Sequence, residues 1–155
     1  MKKTKIKIYL DTSVYNRPFD YQGQTRIRLE TEAFLSILEK AVSGTLIIMG
    51  SSAVLYENSR NPFADRRERI SSYLSVVSKF TGLNDHVKKT ALLLEGINID
   101  PIDALHLAYA ESGGAEYFIT CDNDIMKRIT RHKGILKTEA CNPLEFVLKE
   151  VFKNA

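Results

Sequence analysis

Short, β-branched apolar runs alternate with longer stretches of helical period along the whole chain, and no linker or low-complexity tract interrupts them. This alternation restricts the fold more than any other feature. Strands apolar on both faces need helices over both faces, and βα repetition supplies them in a mostly parallel, three-layer α/β sheet. The clearest strand-like runs are residues 5–10, 45–49 and 117–120, with weaker strand signals at 79–81 and near 135–137. Between 24 and 42, Ile27, Phe34, Leu35, Ile37, Leu38, Ala41 and Val42 recur at helical spacing, and Gly44 stops the helix. Further helices are expected after Ser51-Ser52, over 63–77 and 84–94, from Asp100-Pro101 to before Gly113-Gly114, from Asn123, and over 143–152.

A chain of 155 residues buries enough surface to fold as one domain, residues 1–155, without disulfides. Its net charge of +3 does not by itself argue for nucleic acid, so local clusters of charge must carry that case. Cys121 and Cys141 form no CxxC or Cys/His pattern, which argues against a structural zinc and for a reduced, cytoplasmic setting. The basic start, residues 1–5, leads into an apolar run that meets Asp11 where a signal peptide would continue. No apolar stretch approaches the ~20 residues a membrane span needs, so a membrane role is not expected.

Acidic side chains mark the hand-over from apolar runs to helices. Asp11 follows Ile8-Tyr9-Leu10, Glu57 lies beyond the second run, Asp103 ends Asp100-Pro101-Ile102-Asp103, and Asp122 and Asp124 follow the third run. In a parallel sheet such positions open onto one crevice at the carboxyl ends of the strands. Carboxylates converging there repel one another unless a cation sits among them. Oxygen donors without histidine or thiol companions favour Mg²⁺ or Mn²⁺, and phosphodiester chemistry is the natural use of such a site. Each acid also has a plainer reading: Asp11 as a helix cap, Asp103 at a dipole-favoured third helical position, Glu57 as a solvated helix residue, and Asp122 and Asp124 as turn formers.

At these residues the sequence resembles the PIN domain family, including the VapC-like ribonuclease toxins of toxin–antitoxin systems. The matching stretches are Ile8-Tyr9-Leu10-Asp11-Thr12-Ser13-Val14, Ser51-Ser52-Ala53-Val54-Leu55-Tyr56-Glu57, Asp103-Ala104-Leu105-His106-Leu107-Ala108, Tyr117-Phe118-Ile119-Thr120-Cys121-Asp122-Asn123-Asp124 and Asn142-Pro143-Leu144-Glu145-Phe146. The resemblance implies a five-stranded parallel sheet sandwiched by helices and a metal-dependent endoribonuclease acting on single-stranded RNA. On that reading Asp11, Asp103 and Asp122 hold Mg²⁺ or Mn²⁺, with Asp124 as an outer or alternative ligand. Glu57 positions the attacking water, and Thr12 and Thr120 orient the acids. A homodimer and a small antitoxin partner are expected by the same resemblance.

The segment Tyr15-Asn16-Arg17-Pro18-Phe19-Asp20 and the polar turn after it lengthen the gap before the second helix relative to compact toxins of this family. Asp20 and Asp65 are extra acids in expected loops, and Asp65 is the substitute should Glu57 not be the family's second acid. His106 lies one helical turn beyond Asp103, between two leucines, where packing is favoured over substrate contact. Two basic clusters offer RNA contacts: Arg60, Arg66, Arg67 and Arg69, and, better placed, Lys127, Arg128, Arg131, His132 and Lys133 after the Asp122 turn. Two rival classes stay open, a non-catalytic RNA- or protein-binding module on the same fold and a phosphotransfer domain. The second lacks the Asp-x-Asp expected of aspartate-based phosphatases at its first motif.

Overall fold

Five parallel strands lie in the order β3-β2-β1-β4-β5. The computed structural model describes residues 5–152; the basic residues 1–4 lie outside them. In chain order the elements are β1 (Ile6–Leu10), α1 (Thr12–Asn16), a 3-10 turn (Arg17–Phe19), α2 (Thr25–Val42), β2 (Leu46–Ser51), α3 (Ser52–Ser59) and α4 (Ala64–Leu74). There follow β3 (Lys79–Thr81), α5 (Asp85–Glu95), α6 (Pro101–Ser112), β4 (Tyr117–Ile119), α7 (Asn123–Arg131), β5 (Glu139–Cys141), α8 (Pro143–Phe146) and a π-turn (Val147–Val151).

Consecutive residues of a strand point to opposite faces, so their burial tells whether both faces are covered. Ile8, Tyr9 and Leu10 are all fully buried, as are Phe118 and Ile119 in β4. The central strands therefore have helices on both sides: α2 packs with α8, and α5 packs with α6. The three-layer α/β architecture expected from the alternation is the one observed.

Topology decides where chemistry can sit. The chain runs outward from β1 through β2 to β3, then returns to the other side of β1 as β4 and β5, making β1/β4 the switch point of the sheet. Leu10 pairs with Ile119 at its carboxyl edge. Crossovers on the two sides of β1 leave in opposite directions there and leave a crevice open between them. Asp11 and Asp122 are the acids that follow β1 and β4.

Local signals explain most boundaries. Ser51 caps α3 by accepting from the Val54 amide, Asn84 caps α5 by accepting from Val87, and Pro101 takes the first position of α6. Gly44, at φ +79°, turns the chain out of α2 in a conformation that a side chain disfavours.

The last strand departs from expectation. Residues 135–137 are not strand; β5 is Glu139–Cys141, paired with β4 through Tyr117–Glu139 and Ile119–Cys141. Ile135 and Leu136 instead pack onto the core from the preceding turn. The final helix, expected over 143–152, is α-helical to Phe146 and continues over Val147–Val151 with π-type bonding. Among the described residues no helix is long and apolar enough to cross a membrane.

Candidate active site

Asp11 is the most tightly held of the acids. It is buried, and its amide donates to the Ile119 carbonyl at 2.9 Å, stitching the end of β1 to β4. Its Oδ1 accepts from the Thr12 amide at 2.9 Å, capping α1. Its Oδ2 accepts from the Ser13 hydroxyl at 2.9 Å and the Thr120 hydroxyl at 2.8 Å. Thr120 and Ser13 in turn accept from the amides of Asp122 and Cys121. The two hydroxyls thus tie the carboxylate to the β4–α7 turn. The capping reading of Asp11 is met: its side chain caps α1.

Asp122 caps α7, its Oδ1 accepting from the Asp124 amide at 2.8 Å and the Ile125 amide at 3.4 Å. Asp103 lies in the first turn of α6. Asp103, Asp122 and Asp124 line one cleft of about 110 Å³, together with Asp100 and Arg128. Asp11 and Glu57 are not among the residues lining it. Glu57 connects with Asp11's neighbourhood through Thr12, whose hydroxyl donates to Glu57 Oε1 at 2.8 Å.

The charges nevertheless act on one another. Burial first, then the charges of Asp11 and Asp122, push the Asp103 carboxyl up to about 6. Burial alone would raise Glu57, but the bond and charge of His106 and the Thr12 bond bring it below the usual carboxylate range. His106 moves up: the Glu57 bond and nearby carboxylates outweigh the effect of its burial.

Among the described residues, no three His, Cys, Asp or Glu side chains stand close enough to form a ready-made metal cage. The acids suit a hydrated ion better than a caged one. Mg²⁺ keeps several waters and needs only one or two direct carboxylates, so wider spacing is compatible with it, and a cation would relieve the crowding felt by Asp103.

That crowding has a measurable consequence for metal-free protein. A carboxyl whose pKa rises from 3.8 unfolded to about 6 folded binds its proton more tightly in the native state. Folding stability is then lost as pH rises through this window. Two pKa units correspond to roughly 3 kcal/mol, but Asp103 is partly exposed and solvent screening reduces this to about 1 kcal/mol. Asp103→Asn is therefore expected to raise Tm by ~3 °C at pH 7.5 in EDTA and to leave it unchanged below pH 4. Thermal melts across pH check this; a variant less stable than wild type at pH 7.5 refutes the crowding.

The basic clusters are less convergent than their spacing suggests. Arg128 lines the acidic cleft, whereas His132 and Lys133 line a separate hollow between the end of α7 and β5. Arg66 lies over Phe63 and Phe19 and donates to the Phe19 carbonyl, while Arg67 donates to the Asn61 carbonyl. Tyr15 is fully buried and so cannot stack on a base, and Phe19 packs beside Tyr73. Asp20 pairs with Arg17, and Asp65 stands exposed in the first turn of α4, away from the cleft.

Two contributors escape sequence reasoning. Glu30, in the middle of α2, is buried and bonded by Arg17, Arg26 and Asn142. Arg26 goes on to bond the Cys121 carbonyl and Asn123 Oδ1, on either side of Asp122. His106 is packed, as expected, but is also bonded through both ring nitrogens. The signal was parity: Tyr9 shares a strand face with Asp11, and His106 a helix face with Asp103.

Among solved structures, VapBC2 from Rickettsia felis, bound to a DNA fragment from its promoter, is similar over 88% of this chain and 98% of that chain, at 17% identity and a TM-score of 0.61. FitAcB from Neisseria gonorrhoeae is similar over 88% of this chain and 97% of that one, at 14% identity and a TM-score of 0.58. VapC20 of Mycobacterium tuberculosis, a sarcin-ricin loop cleaving toxin, is similar over 85% and 98%, at 18% identity and a TM-score of 0.53. At these identities the likeness speaks for the fold alone. A sequence comparison with curated proteins finds no match. The PIN domain family model matches residues 8–131, from β1 through the acidic cleft to the end of α7, and the chain belongs to the PIN domain family.

Proposed function

We propose that this chain is a divalent-metal-dependent endoribonuclease that hydrolyses phosphodiester bonds of single-stranded RNA, acting as a single PIN domain in the cytoplasm. The observation that carries this reading is the placement of Asp11 and Asp122 at the ends of the paired strands β1 and β4, linked through the Thr120 hydroxyl, with Asp103 and Asp122 lining one cleft. Acids so placed on a PIN domain fit Mg²⁺ or Mn²⁺, held by Asp11, Asp103 and Asp122, with Asp124 outermost. When bound, such an ion neutralises charge on the phosphate and makes water a better nucleophile at neutral pH.

The chain's own groups do the rest. Glu57, kept ionised by its bonds, accepts the proton of the attacking water. Thr120 and Ser13 fix Asp11, and Thr12 fixes Glu57, so the acids are oriented before RNA arrives. Arg128, in the cleft wall, offers a cation to a phosphate. Hydrolysis leaves a 3′ hydroxyl and a 5′ phosphate. The resemblance to VapC-like proteins supports a homodimer and a role as the toxin of a pair with a small antitoxin.

RNA cutting is expected in Mn²⁺ or Mg²⁺ and is expected to fall to background in EDTA, recovering when metal is restored. A panel of single-stranded and structured RNAs, read on denaturing gels, checks it. Persistence in EDTA sinks the metal-dependent reading. A second reading, a non-catalytic RNA- or protein-binding module, is favoured by the wide spacing of the acids; it predicts RNA binding without cleavage, unchanged by Asp11→Asn.

A further inference from the structure

We infer that His106, braced by Tyr9, is a positioning residue that keeps one oxygen of Glu57 available for the attacking water by holding the other. The inference rests on the nuclease reading and extends it to residues that RNA cannot reach, because His106 and Tyr9 are both fully buried.

The bonding is asymmetric in a useful way. Glu57 Oε1 takes both bonds, a short one with His106 Nε2 and one from the Thr12 hydroxyl at 2.8 Å, while Oε2 takes none among the described residues. A glutamate on a helix surface normally samples several rotamers, and its reach is its weakness as a base. Two bonds to one oxygen leave the other as the working atom. The Glu57 side chain is 31% exposed, whereas His106 behind it is fully buried.

The brace behind the imidazole is equally specific. Tyr9 OH lies 2.7 Å from His106 Nδ1 and 2.6 Å from Ser51 Oγ. An ionised Glu57 only accepts, so Nε2 carries the hydrogen between them. In the neutral ring Nδ1 then accepts from Tyr9, whose oxygen accepts from Ser51. In the protonated ring Nδ1 donates to Tyr9, whose hydroxyl turns to Ser51. Either way no buried group is left unpaired, and the clamp persists in both states. Tyr9 is itself immobilised by stacking on Phe118, with ring centroids 5.7 Å apart.

Any buried imidazole needs a partner for each ring nitrogen, and here one of the two is Glu57. A purely structural histidine would cost stability when replaced without touching turnover. Here Tyr9 lies on β1 two residues before Asp11, and His106 lies on α6 one turn beyond Asp103, so the brace behind Glu57 is set on elements that also present two of the acids.

The test is steady-state RNA cleavage by wild type, His106→Ala, His106→Gln, Tyr9→Phe, Glu57→Gln and the His106→Ala/Glu57→Gln double variant, with folding checked by circular dichroism and thermal melts. His106→Ala is expected to lower kcat about 10–100-fold with KM nearly unchanged, as loss of an orienting partner does. His106→Gln, whose amide can donate to Glu57, is expected to recover part of the loss, and Tyr9→Phe to fall between. The double variant is expected to be no slower than Glu57→Gln alone, since a residue acting through Glu57 has nothing further to lose. Should His106→Ala fail to fold, His106→Gln and Tyr9→Phe, each combined with Glu57→Gln, carry the same comparison. The proposal is overturned by a folded His106 variant with wild-type kcat, by a loss confined to KM, or by losses that multiply in the double variant. A wild type that cuts no RNA overturns the nuclease reading, and the positioning role with it.

Discussion

RNA cleavage by Asp11→Asn is expected to fall about a thousandfold, roughly 4 kcal/mol of transition-state stabilisation, while the fold survives. The side chains are isosteric. Asparagine Oδ1 can accept from the Thr12 amide as the carboxylate does, and its amide can donate to the Ser13 and Thr120 hydroxyls, which rotate to accept. The stability change is accordingly about 1 kcal/mol, the scale of a rearranged hydrogen bond. What is lost is negative charge at the centre of the cluster. Single-turnover cleavage in Mn²⁺, alongside a thermal melt, separates the two effects. A folded variant that cuts at the wild-type rate removes Asp11 from the site.

Glu30→Ala is expected to be the most destabilising single change of a polar residue, by about 3 kcal/mol or ~10 °C in Tm. Glu30 is buried, with its side chain only 2% exposed, and Arg17 delivers two bonds to its Oε1 at 2.9 and 2.7 Å. Arg26 and Asn142 hold Oε2. Truncation strands the Arg17 guanidinium, itself mostly buried, with only Asp20 for company. Denaturant unfolding measures the loss. A change under 1 kcal/mol means that water replaces the carboxylate at no cost and that the network is not structural. Cleavage should also weaken more than stability alone explains, because Arg26 bonds the Cys121 carbonyl and the Asn123 side chain on either side of Asp122.

The strands and helices that are long and apolar were legible because their periodicity follows burial. Residues 45–49 and 117–120 lie within a residue or two of β2 and β4, and α2 and α5 agree as closely. β5 was not legible. It is a three-residue edge strand, Glu139-Ala140-Cys141, with only Cys141 buried, while the more apolar Ile135 and Leu136 beside it lie in a turn. Hydrophobicity there reports packing onto the core and not pairing. Asp11 and Asp122 were legible because they follow strands of one parallel sheet, whereas Asp103 and Glu57 lie within α6 and α3. The acids' partners were not, because Glu30 looks like the polar face of an amphipathic helix until Arg17, thirteen residues earlier, is seen to fold back on it. His106 shows the same limit: its burial could be read from neighbouring leucines, its bond to Glu57 could not.

The pairing of β1 with β4 also bears on timing. Asp11 and Thr120, bonded at 2.8 Å, are separated by 109 positions in the chain. During synthesis the first acid leaves the ribosome long before the strand that completes its surroundings. A nascent chain ending before Tyr117 holds Asp11 without Thr120, without Asp122 and without the β4 edge that orients it. The cluster thus comes into being only when nearly all of the described chain is available. Bringing together carboxylates from distant segments makes the cluster conditional on both halves of the sheet being present.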